Sequence, residues 1–235
     1  MQYKIALQLS GQLRNWDTSV KYWNNFIKTV ENIDVYTCFW NEDYAKEQDI
    51  GKINNLVLDN LIEPPKHYGY DKWSKEHQHQ WPYEYRKYAL YPQNYIIFKG
   101  GYYRRLFQLK NNINYDAIII SRPDFNLEKC KVNEYSLFTD TDRFISRVKA
   151  YKYSAFLQGI KNVVGETGYH KFSNDYFFIG TEESMNLLTT NILSNYIDAG
   201  SFQIGEHNAH ILACISNGLL IKELYLQGSI IREEE

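Results

Sequence analysis

The stretch Tyr115–Phe125, YDAIIISRPDF, decides how the rest of the chain is read. Ala117 to Ile120 form an unbroken apolar run between polar ends, the pattern of a strand buried on both faces of a sheet. The run stops at Ser121-Arg122-Pro123-Asp124. Proline has no N–H for a ladder and restricts the residue before it, so the chain leaves the sheet there. In open α/β sheets ligands bind beyond the carboxyl ends of the strands. A cation and a carboxylate two residues apart at that place read as a site. They also read as an ordinary Arg and Asp in a surface turn, and position alone does not choose between the two.

Upstream, Lys4–Leu9 is a short apolar run that predicts strand one. It ends in Ser10-Gly11-Gln12-Leu13-Arg14, and Val20, Trp23, Phe26, Ile27 and Val30 then recur at helical spacing within Asp17–Val30. In this strand, polar loop and helix, Gly11 permits close backbone approach, Ser10 and Gln12 offer hydrogen bonds, and Arg14 offers a planar fork for phosphate or carboxylate. A plain turn with a surface arginine is the other reading. Asp34–Trp40, DVYTCFW, predicts strand two. From Lys66 to Asn94 the chain is polar and aromatic with few aliphatics, read as a long irregular excursion whose Trp73 and Trp81 either stack on a sugar or pack the loop down. His77 and His79 lack further ligands at a metal-binding spacing. Tyr95–Leu109 carries a helical pattern that becomes clear after Gly100-Gly101. Of its adjacent arginines, Arg104 and Arg105, one is placed to face a phosphate, with Arg105 the candidate; a solvated edge is the alternative.

Downstream of Asp124, Asp140-Thr141-Asp142 is a literal Asp-x-Asp that ranks below Asp124 as a metal site. Phe144, Ile145 and Val148 predict a strand, Gly159–His170 a glycine-bearing loop, and Tyr176–Ile179 another strand preceded by Ser173-Asn174-Asp175. Thr181 is a plausible N-cap for a helix filled by Met185, Leu187, Leu188 and Ile192. Gly205-Glu206-His207 opens a further helix, in which Glu206 is also accounted for by the helix dipole alone. Leu219–Leu226 predicts a last strand.

At 235 residues the chain fits one large domain. A net charge of −2 gives no overall signature for nucleic acid or anionic membrane. Cys38, Cys130 and Cys214 are far apart and flanked by apolar residues, which points to buried free thiols and a reducing, cytoplasmic setting. No run approaches the roughly 18 apolar residues of a membrane span. P-loop, dinucleotide-binding and Gly-x-Ser-x-Gly signatures do not occur.

Taken in order, a first strand ending in SGQLR, a strand ending in FW, an arginine-bearing helix, YDAIIISRPDF, NDYFFIG before a helix with an early Met, and GEHNAHILACISNGL resemble a group of microbial and viral glycosyltransferase-like proteins of the GT-A type. In that group an Arg-Pro-Asp stands where better-known members have Asp-x-Asp. The resemblance spans nearly the whole chain. It implies a single α/β, GT-A-like (Rossmann-like) domain over residues 1–235, with a mainly parallel sheet flanked by helices, an excursion at about 64–95 and a short flexible acidic C-terminus. It further implies transfer of a sugar from a UDP, GDP or dTDP sugar to a hydroxyl of a glycan or other acceptor. Ser10, Gly11 and Arg14 would contact the donor's base, ribose or diphosphate. Asp124 would reach the diphosphate through Mn²⁺ or Mg²⁺, and Arg122 would position Asp124 or the donor. Asn174 and Asp175 would line the cleft, and either Asp175 or Glu206 would be the general base. Because Arg-Pro-Asp holds a single carboxylate, positive side chains are the alternative means of neutralising the leaving diphosphate. On this reading Asp124→Ala abolishes transfer and leaves the fold intact. The rival expectations are a non-catalytic nucleotide- or carbohydrate-binding module and a phospho- or nucleotidyltransferase.

Overall fold

The computed structural model describes residues 3–41, 45, 48–63, 83–158, 161–165, 168–172, 177–198, 211 and 213–230. β1 (Ile5–Gly11), α1 (Trp16–Lys28) and β2 (Ile33–Trp40) open the fold. The residues predicted for the inner face of α1, Val20, Trp23, Phe26 and Ile27, are all buried. A 3-10 turn at Ile50–Lys52 leads to β3 (Leu56–Leu58) and β4 (Leu61–Ile62), both parallel to β2. The long helix α2 (Tyr83–Asn111) then descends to β5 (Ala117–Ser121), and β6 (Phe125–Val132) and β7 (Tyr135–Ser136) follow. After α3 (Thr141–Ala150) come β8 (Ser154–Gln158), the hairpin of β9 (Lys161–Gly165) and β10 (Gly168–Phe172), β11 (Phe177–Gly180), α4 (Glu182–Asp198) and β12 (Leu220–Ile230).

The main sheet runs in the order β3-β2-β1-β5-β11-β8-β12-β6-β7, with β4 beside β2. β1 is parallel to β2 on one side and to β5 on the other. All five residues of β5 are buried. Ala117 and Ile119 join the apolar layer under α1 and α3, and Ile118 and Ile120 join the layer under α2 and α4. That alternation is what a strand covered on both faces requires.

Four expectations are corrected. The sheet is mixed, not mainly parallel: β11 is antiparallel to both β5 and β8, and β12 is antiparallel to β6. Phe144, Ile145 and Val148 lie in α3, where all three are buried, because their i, i+1, i+4 spacing is helical even though two are β-branched. The glycine-bearing stretch near Gly159–His170 contains strands β9 and β10. Finally, α2 begins at Tyr83, inside the stretch read as irregular.

Candidate functional site at the strand-order reversal

The first crossover carries the chain from β1 to β2, and the next crossover, through α2, brings it back to β5 on the far side of β1. Strand order therefore reverses between β1 and β5. The crevice beyond their carboxyl ends is where such sheets hold ligands. Gly11 closes β1 with φ +151°, and a Cβ added there would stand 3.1 Å from Cδ of Pro123. Such a backbone angle belongs to glycine, and it lets the loop after β1 lie directly against the loop after β5.

The β5 loop is fixed from two directions. Nε1 of Trp23, on α1, donates to the carbonyl oxygen of Pro123 at 2.9 Å. Within the loop, Arg122 donates from Nε to Oδ1 of Asp124 at 2.9 Å and from Nη2 to Oδ2 at 2.7 Å. Side-chain exposure is 1% for Asp124 and 21% for Arg122. The carboxylate is therefore an internal anchor that holds the guanidinium flat, and the guanidinium keeps partial exposure.

Below the loops runs a buried polar seam between β1, α2 and α4. Gln8 Nε2 donates to Ser10 Oγ at 3.0 Å and to the carbonyl of Ile97 at 3.1 Å. Arg104 is fully buried. Its Nε, Nη1 and Nη2 donate to the amide oxygens of Gln8 (3.2 Å), Gln108 (2.8 Å) and Asn186 (2.9 Å). Burial among neutral partners pushes this guanidinium down to about 10, which leaves it charged at neutral pH. On the same helix, Asn94 is fully buried, and among the described residues neither its Nδ2 nor its Oδ1 nor Gln93 Nε2 has a hydrogen-bond partner. Gln93 Oε1 lies 3.9 Å from the position of a Cβ on Gly11, so Gln93 borders the crevice.

Of the residues singled out from sequence, Gly11, Arg122 and Asp124 are brought together. Ser10 adjoins them, but its side chain is buried and bonded to Gln8 beneath α2. Arg14 is exposed beyond the loop, with Nε and Nη2 both on Gln12 Oε1 at 2.9 and 2.7 Å. Arg105 is elsewhere. The helix α2 descends from Gln93 beside Gly11 to Gln108, which donates to the carbonyl of Ile113 ahead of β5. The twelve residues from Gln93 to Arg105 correspond to about 18 Å of helix. Arg105 bonds Thr189 Oγ1 on α4 at 2.8 Å and lines a pocket with Glu182 and Asn186 at the amino-terminal end of the sheet. Asp140 and Asp142 are also at that end, around a cavity shared with Tyr3 and Asn32, which precede β1 and β2. Asn174, Asp175, Glu206, His77 and His79 lie outside the described residues.

A divalent cation that grips a diphosphate needs one or two protein carboxylates beside phosphate oxygens and waters; in this structure both oxygens of Asp124 accept from Arg122. No group of three or more His, Cys, Asp or Glu able to hold a metal occurs among the described residues. Trp23, Gln93 and Asn94 were not legible as site-forming residues. Trp23 reads only as core, and Gln93 and Asn94 fall in the stretch with too few aliphatics to show a period. No family model matches the chain, and no curated protein matches it. No helix among the described residues is long and apolar enough to cross a membrane.

Proposed function

We propose that the chain is a nucleotide-sugar-dependent glycosyltransferase whose donor lies in the crevice between the loops after β1 and β5. The observation that carries this reading is the seating of Gly11 against Pro123 at the strand-order reversal, beside a guanidinium fixed by a buried carboxylate. In glycosyl transfer the bond from the sugar's anomeric carbon to the diphosphate oxygen breaks. A bond from the acceptor oxygen forms, and the acceptor's proton passes to a base. Negative charge develops on the departing nucleoside diphosphate, so a pre-oriented cation beside it accelerates the step. Arg122 takes that role, and Asp124 positions it by holding the guanidinium plane.

The side-chain-free edge of Gly11 lets the backbone approach the donor closely. For the acceptor proton we propose Asp175 or Glu206. Asp175 is supported by the entry of the chain into β11, where Phe177 pairs with Ser121 at the carboxyl end of β5. A cytoplasmic setting is part of the proposal and accords with three buried free cysteines.

The test is calorimetry with UDP, GDP and dTDP sugars, with and without Mn²⁺, together with an assay for release of nucleoside diphosphate. Donor binding, slow donor hydrolysis and a large loss of turnover in Arg122→Lys support the enzyme. Glycan binding with no nucleotide binding supports a carbohydrate-binding module instead, and release of pyrophosphate from a nucleoside triphosphate supports a nucleotidyltransferase.

A further inference from the structure

We infer that the pocket between α2 and α4 at the amino-terminal end of the sheet binds a small oxyanion, a phosphate or carboxylate group, through Arg105 and Asn186. The pocket has a volume of about 190 Å³ and is lined by Arg105, Gln108, Glu182 and Asn186 together with Asn112 and Asn114 ahead of β5. A water molecule's share of liquid volume is about 30 Å³, so the space holds such a group with part of its hydration. About 18 Å of helix separates it from Gln93 and the crevice, and the inference does not rest on what the crevice binds.

Charge is what the pocket leaves unbalanced. Buried charges in native proteins are paired, yet neither Arg104 nor Arg105 has a carboxylate within ion-pair distance among the described residues. Burial, and then repulsion from Arg105, lower Arg104 to about 10, so both guanidiniums are charged at neutral pH. A guanidinium only donates. Arg104 therefore takes the oxygens of Gln108 and Asn186 and turns their amino groups away from itself. Gln108 uses its amino group on the carbonyl of Ile113, whereas Asn186 Nδ2 has no partner among the described residues. Arg105 commits only Nη1, to Thr189 Oγ1 at 2.8 Å and the Asn186 carbonyl at 3.5 Å, which leaves Nε and Nη2. A cation with uncommitted N–H groups beside a donating amide suits an oxyanion. Glu182 is the one carboxylate in the described lining, and its Oε2 already accepts from the Tyr115 N–H at 2.6 Å. Two cations thus act against one carboxylate, and the first turn of α4, where Glu182 stands, adds the positive end of its dipole.

The full chain is titrated by calorimetry with sodium phosphate and with sodium acetate, at neutral pH and one ionic strength set with NaCl, and again as Arg105→Gln, Asn186→Asp and Glu182→Gln. Saturable one-site binding of phosphate, acetate or both is expected, and the two titrations show which oxyanion the pocket takes. Arg105→Gln keeps an N–H for Thr189 and is expected to weaken binding at least about tenfold. Asn186→Asp supplies Arg104 with a carboxylate of the chain's own, and is expected to abolish binding with the melting temperature unchanged or raised. Glu182→Gln keeps an oxygen for the Tyr115 N–H, removes the repelling charge and is expected to tighten binding. Absence of saturable binding of both anions by the parent overturns the inference, as does binding that survives Arg105→Gln or Asn186→Asp undiminished. A lowered melting temperature in Asn186→Asp overturns it because Arg104 then lacks no counter-charge, and weaker binding in Glu182→Gln because the ligand then donates to that carboxylate. Each of these results leaves the glycosyltransferase reading standing.

Discussion

Asp124→Ala is predicted to lower the stability of the fold as well as activity, and the size follows from the Arg122 pair. Removing one partner of a buried ion pair costs about 3–5 kcal/mol, because the other charge is left without compensation. Arg122 retains 21% side-chain exposure, so part of its charge regains water, and about 2–4 kcal/mol is expected. For a chain of this length that corresponds to a fall of about 4–16 °C in melting temperature. Asp124→Asn keeps the shape and one accepting oxygen, and is expected to cost about 1–2 kcal/mol. The double variant Arg122→Met/Asp124→Ala removes both charges and is expected to be more stable than Asp124→Ala alone. Urea denaturation followed by tryptophan fluorescence measures all three. An Asp124→Ala protein as stable as the parent, or a double variant as unstable as the sum of the single ones, refutes the assignment of Asp124 as a buried anchor. The earlier expectation that Asp124→Ala spares the fold is thereby replaced.

Three further outcomes are expected. A Cβ on Gly101 would come within 2.7 Å of Cβ and Oγ1 of Thr189. Gly101→Ala, which gains about 0.5–1 kcal/mol from helix propensity, is therefore expected to lose about 1–3 kcal/mol to overpacking between α2 and α4, a net loss that urea titration resolves. Tyr115 donates to Asp34 Oδ2 at 2.6 Å and shares a 2.7 Å hydrogen bond with the Tyr36 hydroxyl, so Tyr115→Phe is expected to cost about 1.5–3 kcal/mol in the same assay. Burial pushes the Cys38 and Cys214 thiols up to about 12 and raises Cys130 well above its ordinary 9.0. Above pH 9 the unfolded chain then holds fewer protons than the native one, so stability falls as pH rises, by up to about 1.4 kcal/mol per thiol per pH unit. Burial lowers Arg104 to about 10 and opposes this above that pH. Denaturation curves at pH 8, 9 and 10 check the sign, and stability that rises between pH 9 and 10 contradicts it.

What could be read in advance was whatever a single segment determines. Ala117–Ile120 announces a doubly covered strand because no polar residue interrupts it, and Val20, Trp23, Phe26 and Ile27 announce a helix because their period has one solution. Thr181 caps α4 as its sequence implies, accepting from the Ser184 N–H at 3.3 Å. Phe144, Ile145 and Val148 misled because residue type and spacing disagreed, and spacing prevailed. β6 was missed because Phe125–Val132 mixes lysines and a glutamate with its apolar residues, and its burial comes from α1 and β12. The antiparallel entry of β11 depends on pairing across some sixty residues, which no local pattern records. Within the site, Arg122 and Asp124 were visible as types, but their closure on each other was not. In the structure that closure makes Asp124 a support for the arginine.

The position of β12 carries a consequence for assembly. Its first half is parallel to β8 and its second half is antiparallel to β6, with an irregularity at Gln227/Gly228 between stretches of the latter pairing. Until residues 220–230 dock, both β8 and β6 present an open row of backbone donors and acceptors, a template for another chain. Species populated before that step are therefore the ones most prone to associate during synthesis or refolding. A peptide spanning 220–230, added in excess during refolding, is expected to compete for the slot and slow recovery of the native sheet.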